Sequence, residues 1–118
     1  MREILFRGKR TDDGEWVYGD VQHDYDGSPR CISDYCGANP VDPATVGQYT
    51  GKSVKTGKVF DGDIGKSIDG LFLVCWDDEK AAFVMRFLEY PYETLYIEEM
   101  WDDAEVIGNI HDNPDMIP

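Results

Sequence analysis

Asp61 and Asp63, on either side of Gly62, form the first place in the sequence where catalytic chemistry is conceivable. Two carboxylates on one side of a strand can hold Mg²⁺ or perform acid–base catalysis. An Asp-Gly-Asp step is also typical of a turn, where carboxylates accept hydrogen bonds from backbone N–H groups. Because the chain contains neither a P-loop nor a dinucleotide-binding glycine motif, we expect the turn role and assign no catalytic residue.

Cys31, Cys36 and the upstream His23 raise the question of a zinc site. A structural zinc ion is usually held by two close pairs of ligands. A second pair is missing here unless the fold brings Cys75 or His111 close to Cys31 and Cys36. Neither histidine is flanked by a nucleophile signature. We therefore expect small buried thiols that fill gaps between strands, with no metal and no cofactor bound.

A weaker metal signal is the stretch Asp24-Tyr25-Asp26-Gly27, which faintly resembles the start of a calcium-binding loop. Such a loop needs further oxygen ligands at fixed offsets and a glutamate at its twelfth position. Tyr35 occupies that position, and Asp34 lies one residue too early. The stretch therefore predicts a turn rather than a metal site.

The densest charge cluster runs from residue 98 to residue 105 and contains a tryptophan. An exposed aromatic residue among charges is a typical anchor for a protein partner. The alternative, which we favour, is that the tryptophan belongs to the core and its neighbours form a solvated loop. The candidate partner-binding residues are Trp101, Glu98, Glu99, Asp102 and Asp103.

The net charge of −13 constrains the class of partner. Twenty-four acidic residues outnumber eleven basic ones, and the longest basic cluster is Arg7, Lys9 and Arg10. Proteins that bind nucleic acids release counterions with clustered lysines and arginines. Direct binding to DNA, RNA or an anionic membrane is therefore disfavoured, whereas a basic protein partner or simple solubility fits the charge.

The cellular location follows from what the sequence does not contain. No apolar run approaches the roughly 18 residues of a membrane helix, and the N-terminal stretch MREILFRGKR lacks the apolar core of a signal peptide. Three cysteines do not all pair within one chain, so reduced thiols are expected. These features predict a cytoplasmic protein.

Hydrophobic patterns and turn residues predict many short strands. In the first half, Ile4 and Phe6 are expected to point to one side of a strand, with Glu3, Leu5 and Arg7 alternating with them. The run 11–14 is rich in turn residues and 15–21 is aromatic and β-branched, so a β-hairpin is expected. A short strand at 30–32, a proline-containing loop at 39–43 and one helical turn from Asp42 to Thr45 follow.

The second half is denser in predicted strands. Turns are expected at 55–58, 61–63 and 77–80, with a final helical turn at 114–117. The run 71–76 is apolar on both faces, which is typical of a central strand covered on both sides. The other strands are predicted at 46–50, 64–68, 81–87, 93–97 (strand or short helix) and 104–110. This spacing predicts a small barrel or sandwich with little helix.

Five blocks of the chain together resemble the YopX family of phage and prophage proteins. They are Ile4 to Arg10, Gly14 to Gly19, Val46 to Gly51, Gly57 to Ile64, and Glu105 to Ile110 with Asn113-Pro114. The resemblance implies a phage or prophage setting and an SH3-like β-barrel in the C-terminal half, and it implies no catalytic residues. Gly65 departs from the aliphatic residue common in the family, so the strand is expected to bend or bulge there.

Together these patterns predict a mainly β protein with a hairpin lobe at 1–43 and a second β lobe at 44–118, which the resemblance implies is SH3-like. One core shared by both lobes is the alternative. We expect the block residues to fix corners of the fold. They are Trp16, Tyr18, Gln48, Tyr49, Gly51, Asp61, Gly62, Asp63, Gly108, Asn109 and Pro114.

Three hypotheses for the function follow. The first is a non-enzymatic accessory protein that binds a host or phage protein. The second is an acidic DNA mimic that inhibits a host nucleic-acid enzyme, and the third is a small metal-binding or hydrolytic protein that uses Asp61 and Asp63, or Cys31 and Cys36. Strand edges also make a homo-oligomer plausible.

Overall fold

The computed structural model describes residues 3–117 and shows a mainly β protein with antiparallel sheets. The chain forms two compact units, Met1–Tyr49 and Thr50–Pro118. The division expected from sequence, between residues 43 and 44, lies N-terminal to this boundary. Gly47 and Gln48 belong with the first unit because they pair with Arg7 and Phe6.

The first unit is an antiparallel sheet in the order β4-β3-β2-β1-β5. Its strands are β1 (Phe6–Lys9), β2 (Trp16–His23), β3 (Pro29–Asp34), β4 (Gly37–Pro40) and the start of β5 (Gly47–Val54). The expected hairpin is confirmed, since β1 pairs with β2 around the turn at 11–14. Its core consists of Val17, Ile32 and Val41, with Phe6 and Val46 packed against them.

Two details of the first unit differ from the sequence-based prediction. Ile4 does not share the buried side of Phe6, because it precedes β1 and is 67% exposed. Asn39 and Pro40 are not loop residues but the end of β4, an edge strand, where a missing proline N–H is tolerated. The predicted helical turn is confirmed as a 3₁₀ turn at Pro43–Thr45, capped by the Asp42 side chain.

The second unit contains a hairpin of β5 with β6 (Gly57–Phe60) and a five-stranded antiparallel sheet in the order β10-β9-β8-β7-β11. The strands are β7 (Asp63–Ser67), β8 (Gly70–Asp77), β9 (Ala82–Phe87), β10 (Thr94–Tyr96) and β11 (Glu105–Asn109), and 3₁₀ turns lie at Ile97–Glu99 and Pro114–Met116. Among the described residues this sheet is open, so the SH3-like barrel stays a prediction.

One face of the five-stranded sheet carries most of the apolar core of the second unit. Phe72 and Val74 on β8 are buried and lie opposite Phe87 and Met85 on β9. The strand β8 is central, as expected, but its two faces differ, because Leu71, Leu73 and Cys75 are only partly buried. The core cluster is Val54, Val59, Phe72, Val74, Phe83, Met85, Phe87, Ile97, Met100 and Ala104.

Gly65 lies in β7 directly opposite Phe72. A Cβ on Gly65 would lie 2.3 Å from the Phe72 ring, so the ring covers the space that a side chain would fill. The expected irregularity occurs in the neighbouring strand, because the pairing of β7 with β11 shifts between Val106 and Gly108 and leaves Ile107 as the additional residue.

No helix within residues 3–117 is long and apolar enough to cross a bilayer.

Candidate functional site

The Asp61-Gly62-Asp63 step forms a turn, and its second carboxylate is buried. Asp63 is 1% exposed, and its Oδ2 accepts a hydrogen bond from the backbone N–H of Phe60 at 2.7 Å. Gly62 has φ +92°, a conformation that glycine adopts without strain. Its N–H donates to the Val74 carbonyl at 2.8 Å. Asp63 therefore stabilises the corner before β7 and presents no open carboxylate to a substrate.

Asn109 and Asn113 hold the turn that follows β11. The Asn113 side-chain oxygen accepts from the Asn109 N–H at 3.2 Å, and the Asn113 N–H donates to the Asn109 carbonyl at 2.8 Å. The Asn109 side-chain oxygen accepts from the N–H groups of His111 and Asp112. A Cβ on Gly108 would lie 2.5 Å from the Asn113 oxygen, so a larger residue there would push this side chain away from the Asn109 N–H. Pro114 then begins the final 3₁₀ turn.

The block residues of the first unit also have identifiable contacts. The Trp16 ring lies under two cations, with the Arg7 guanidinium 4.6 Å and the Lys9 ammonium 5.5 Å from its centroid. Tyr18 lies opposite Arg7 on β2 and is 47% exposed. These contacts belong to the β1–β2 hairpin, where cation–π attraction favours the pairing of a tryptophan with basic residues.

The three remaining block residues lie on β5. Gln48 pairs with Phe6, and the Tyr49 N–H donates to the Leu5 carbonyl at 2.8 Å. Tyr49 itself is buried. Gly51 has φ +91°, which disfavours any other residue at this point of the strand.

Many of the aspartates cap turns. In five places an Asp Oδ1 accepts a hydrogen bond from the backbone N–H two residues later, at distances of 2.8 to 3.1 Å. This arrangement is a side-chain mimic of a backbone turn. The five residues are Asp13, Asp26, Asp34, Asp42 and Asp77. Part of the acidity of the chain is therefore explained by its many tight turns.

The candidate metal ligands do not assemble. Cys31 lies on β3 and is half-buried, and both Cys31 and Cys36 are free thiols. The expectation of a buried thiol is wrong for Cys36, which is exposed in the turn between β3 and β4. Within residues 3–117, no three His, Cys, Asp or Glu side chains are placed to hold a metal ion. In the calcium-like stretch, Asp26 accepts from the hydroxyl and N–H of Ser28, and the hydroxyl bond in particular lowers the pKa of Asp26. That stretch is a turn, as expected.

Trp101 is 42% exposed and is not a member of the core cluster, contrary to the interpretation that we favoured from sequence. The core positions in this segment are Met100 and Ala104, on either side of it. Lys52 contacts Asp102 at 3.4 Å. The neighbouring Glu99 carboxylate accepts from the Tyr96 N–H at 3.0 Å, and Glu98 and Asp103 are exposed.

A groove on the second unit was not predicted from the sequence. It has a volume of about 620 Å³ and lies where the β9–β10 loop folds along the sheet. Its lining, which we call the tyrosine groove, consists of Asp69, Lys80, Phe87, Tyr90, Tyr92, Glu93, Thr94 and Leu95. The sequence signal that could have indicated this groove is the run Tyr90-Pro91-Tyr92 between two predicted strands, because connecting segments run over the protein surface and often carry binding residues.

Hydrogen bonds fix the shape of the loop that carries the two tyrosines. The rings of Tyr90 and Tyr92 lie edge to face, with centroids 6.5 Å apart and planes at 76°. The Arg86 guanidinium donates to the Pro91 carbonyl at 2.7 Å, and the Glu93 N–H donates to the Tyr90 carbonyl at 2.8 Å. Both rings therefore project from a backbone that is held at two points.

Lys80 is engaged within the groove. Its ammonium donates to the Thr94 hydroxyl at 2.6 Å and lies 5.3 Å from the centroid of the Tyr96 ring. These contacts fix the cation on the β10 side of the surface. The carboxylates of Asp69 and Glu93 lie in the lining of the same groove.

A second depression of about 470 Å³ adjoins the groove and shares Lys80, Tyr92 and Thr94 with it. In this depression the Trp76 indole donates to the Asp78 carboxylate at 2.8 Å, and its ring meets Phe83 edge to face at 5.2 Å. We call this region the tryptophan shelf. It is lined by Trp76, Asp77, Asp78, Glu79, Lys80, Arg86, Tyr92 and Thr94.

The lining of this surface consists of aromatic and charged side chains with one threonine and one leucine in the groove. The described lining of the groove contains no histidine, cysteine or serine, and the Thr94 hydroxyl accepts from Lys80. Nearby, burial is the main cause that raises the pKa of the Cys75 thiol, with Arg86 opposing it, so this thiol is a poor nucleophile. Aromatic side chains such as Tyr90 and Tyr92 are enriched at protein–protein interfaces.

The sequence of this chain was compared with known proteins and protein families. A comparison with curated proteins gives no match. A family model described as YopX protein matches residues 5–118, nearly the whole chain. The match includes the two turns built by Asp63 and Asn109 as well as the loop that carries the tyrosines. The chain therefore belongs to the YopX family.

Proposed function

We propose that this chain is a non-enzymatic phage or prophage accessory protein that binds another protein through the tyrosine groove. The observation that carries the proposal is the pair of exposed tyrosines on a loop fixed by Arg86. Tyr90 is 49% and Tyr92 79% exposed. Tyrosine is enriched at binding hot spots because it adds a large contact area at low entropic cost. The partner is a host or phage protein in the bacterial cytoplasm.

The shape of the surface favours a protein segment over a small molecule. The tyrosine groove and the tryptophan shelf are continuous through Lys80, Tyr92 and Thr94, which makes an elongated track. Small-molecule sites enclose most of the ligand surface, whereas this track is open along its length. An extended segment of a partner fits such a surface.

Recognition by addition of a strand is disfavoured at this edge of the sheet. The edge strand β10 has only three residues, Thr94–Tyr96. The Tyr96 N–H is occupied, because it donates to the Glu99 carboxylate at 3.0 Å. A short, capped edge offers few backbone groups to another chain. The partner is therefore held mainly by side-chain contacts.

The alternative hypotheses have weaker support. A DNA mimic needs carboxylates spaced like phosphates along one face, but five aspartates of this chain accept hydrogen bonds within separate turns. A hydrolytic centre at Asp61 and Asp63 is disfavoured because Asp63 is buried and accepts from Phe60. The SH3-like half implied by the family resemblance is compatible with the antiparallel β7–β10 meander and belongs to the proposal.

Affinity capture with matched tyrosine variants tests the proposed function. Wild type, Tyr92→Ala and Tyr25→Ala are each used as bait in host lysate, because Tyr25 is also a fully exposed tyrosine in a turn and lies in the first unit. We expect a protein that wild type and Tyr25→Ala both recover and Tyr92→Ala loses. Equal recovery by all three baits would contradict the groove as the binding surface.

Sedimentation velocity of the purified wild-type chain completes this test. A strand-edge or groove contact between two copies would appear as a dimer whose population rises with concentration. We expect a monomer, since the proposed occupant is a different protein. A dimer that Tyr92→Ala dissociates would show that the groove serves self-association instead.

A further inference from the structure

We propose that the tyrosine groove recognises an arginine side chain carried on an extended segment of the partner. This inference rests on the proposed function and specifies what the same site selects. Three observations carry it: an open tyrosine ring, carboxylates in the same lining, and a resident cation that is already engaged. Each bears on the charge and shape of the ligand.

The first observation is the exposure of the Tyr92 ring. Tyr90 lies edge to face with it, and Tyr92 is 79% exposed, so most of its surface is accessible. A cation over the face of an aromatic ring is attracted by the ring quadrupole. The chain itself uses this contact elsewhere, with Arg7 and Lys9 over Trp16 and Lys80 over Tyr96.

The second observation is the charge of the lining. Asp69 and Glu93 line the groove together with Lys80. Asp77, Asp78 and Glu79 line the adjoining tryptophan shelf, where they outnumber Lys80 and Arg86, and Arg86 lies 3.8 Å from the Asp77 carboxylate. The whole second unit, residues 50–118, contains fifteen acidic and six basic residues, which gives a net charge of −9. A positively charged segment is attracted to this surface, and an anionic one is repelled.

The third observation concerns the cation that belongs to the groove. The Lys80 ammonium donates to Thr94 at 2.6 Å and lies over Tyr96. The Lys80 ammonium is thus directed toward β10. The carboxylates of Asp69 and Glu93 in the same lining are then the groups that a cationic ligand would contact. Arginine fits this combination better than lysine, because a planar guanidinium stacks on a ring and forms paired hydrogen bonds with a carboxylate.

An NMR titration with a synthetic peptide tests the inference directly. The probe is a short glycine–serine–proline peptide with a single arginine, and its control is the same peptide with citrulline, which keeps the shape and removes the charge. We expect backbone amide shifts in the β9–β10 loop and about tenfold weaker binding of the citrulline peptide. Equal affinity of the two peptides would overturn the inference.

Matched charge variants separate the groove from the general acidity of the chain. Glu93→Gln and Glu98→Gln each remove one exposed carboxylate, but only Glu93 lines the groove. We expect Glu93→Gln to weaken binding of the arginine peptide several-fold and Glu98→Gln to change it by less than about twofold. Equal effects of both variants, or shifts spread over both units, would show non-specific attraction and would overturn the inference.

The failure of this inference differs from the failure of the proposed function. If a captured partner depends on Tyr92 but the arginine and citrulline peptides bind alike, the groove binds protein without selecting arginine, and only the present inference falls. If capture is independent of Tyr92, the proposed function falls as well.

Discussion

The rings of Tyr90 and Tyr92 lie edge to face at 6.5 Å, on either side of a proline whose carbonyl accepts a hydrogen bond from Arg86. The loop is therefore ordered before any partner arrives. A surface that is already ordered loses less conformational entropy on binding, so more of the contact energy appears as affinity. This relationship is the physical basis for placing the binding surface at the β9–β10 loop.

Replacement of Gly65 tests the packing beneath the β7–β8 pair. In Gly65→Ala the new Cβ would lie 2.3 Å from the Phe72 ring, which must move within a buried cluster. We expect a loss of about 1–3 kcal/mol in the free energy of unfolding, measured by urea denaturation. The companion Phe72→Leu makes room, so the double variant should lose less than the sum of the single variants. Strict additivity would show that the ring does not occupy this space.

Gly108 and Asn113 should behave as one structural unit. Gly108→Ala places a Cβ 2.5 Å from the Asn113 side-chain oxygen, which the Asn109 N–H needs as its acceptor. Asn113→Ala removes that acceptor directly. We expect each variant to cost about 1–3 kcal/mol in thermal unfolding and the double variant to cost little more than either. A double variant twice as destabilised as each single variant would contradict the shared contact.

Asp63 should be important for stability and unimportant for metal binding. Asp63→Ala leaves the Phe60 N–H without its side-chain acceptor in a buried turn, at a cost of about 1–3 kcal/mol. Asp63→Asn keeps a carbonyl oxygen at this position and should lose less. Because Asp63 is buried and already accepts from the Phe60 N–H, added Mg²⁺ should leave the melting temperature of the wild type unchanged. A bound ion would raise the melting temperature as its concentration increases. A melting temperature that rises with Mg²⁺ and loses this response in Asp63→Asn would revive a metal centre.

The cysteines should differ in their rates of alkylation. Cys36 is exposed, whereas Cys75 is partly buried and has a pKa raised by that burial. A raised pKa reduces the thiolate fraction at a given pH, so Cys75 should react more slowly with iodoacetamide and accelerate as the pH rises toward its pKa. Mass spectrometry of peptides at successive times measures both rates. Equal rates in the native protein would contradict the described burial, and equal rates in urea are expected.

Local features of the fold were predictable from sequence because neighbouring residues cause them. The turn at 11–14 joins β1 and β2, and Asp42 with Pro43 begins a 3₁₀ turn, as expected from capping and proline geometry. The exposure of Ile4 and the pairing of Pro40 in β4 were not predictable, because both depend on where distant strands end. The irregularity expected at Gly65 occurs instead at Ile107 on the neighbouring strand β11. Its position depends on how β7 pairs with β11, which local sequence does not reveal.

The candidate site was less predictable than the fold. Trp101 stands out in the sequence because it lies among charges. The tyrosine groove instead combines Asp69 and Lys80 from two turns with the 90–95 segment, which comprises the β9–β10 loop and the start of β10. Only the pairing of β8 with β9 and of β9 with β10 brings these segments together. The hydrogen bond from Arg86 that shapes the loop has no signature in the sequence.

The footprint of a captured partner on the isotope-labelled chain tests the central claim most directly. Cross-saturation NMR identifies the amides of this chain that lie against an unlabelled partner. We predict that the affected amides cluster at 76–80 and 90–95, the segments that line the tyrosine groove and the tryptophan shelf. A footprint centred on 98–103 around Trp101, or on the first unit, would contradict the account.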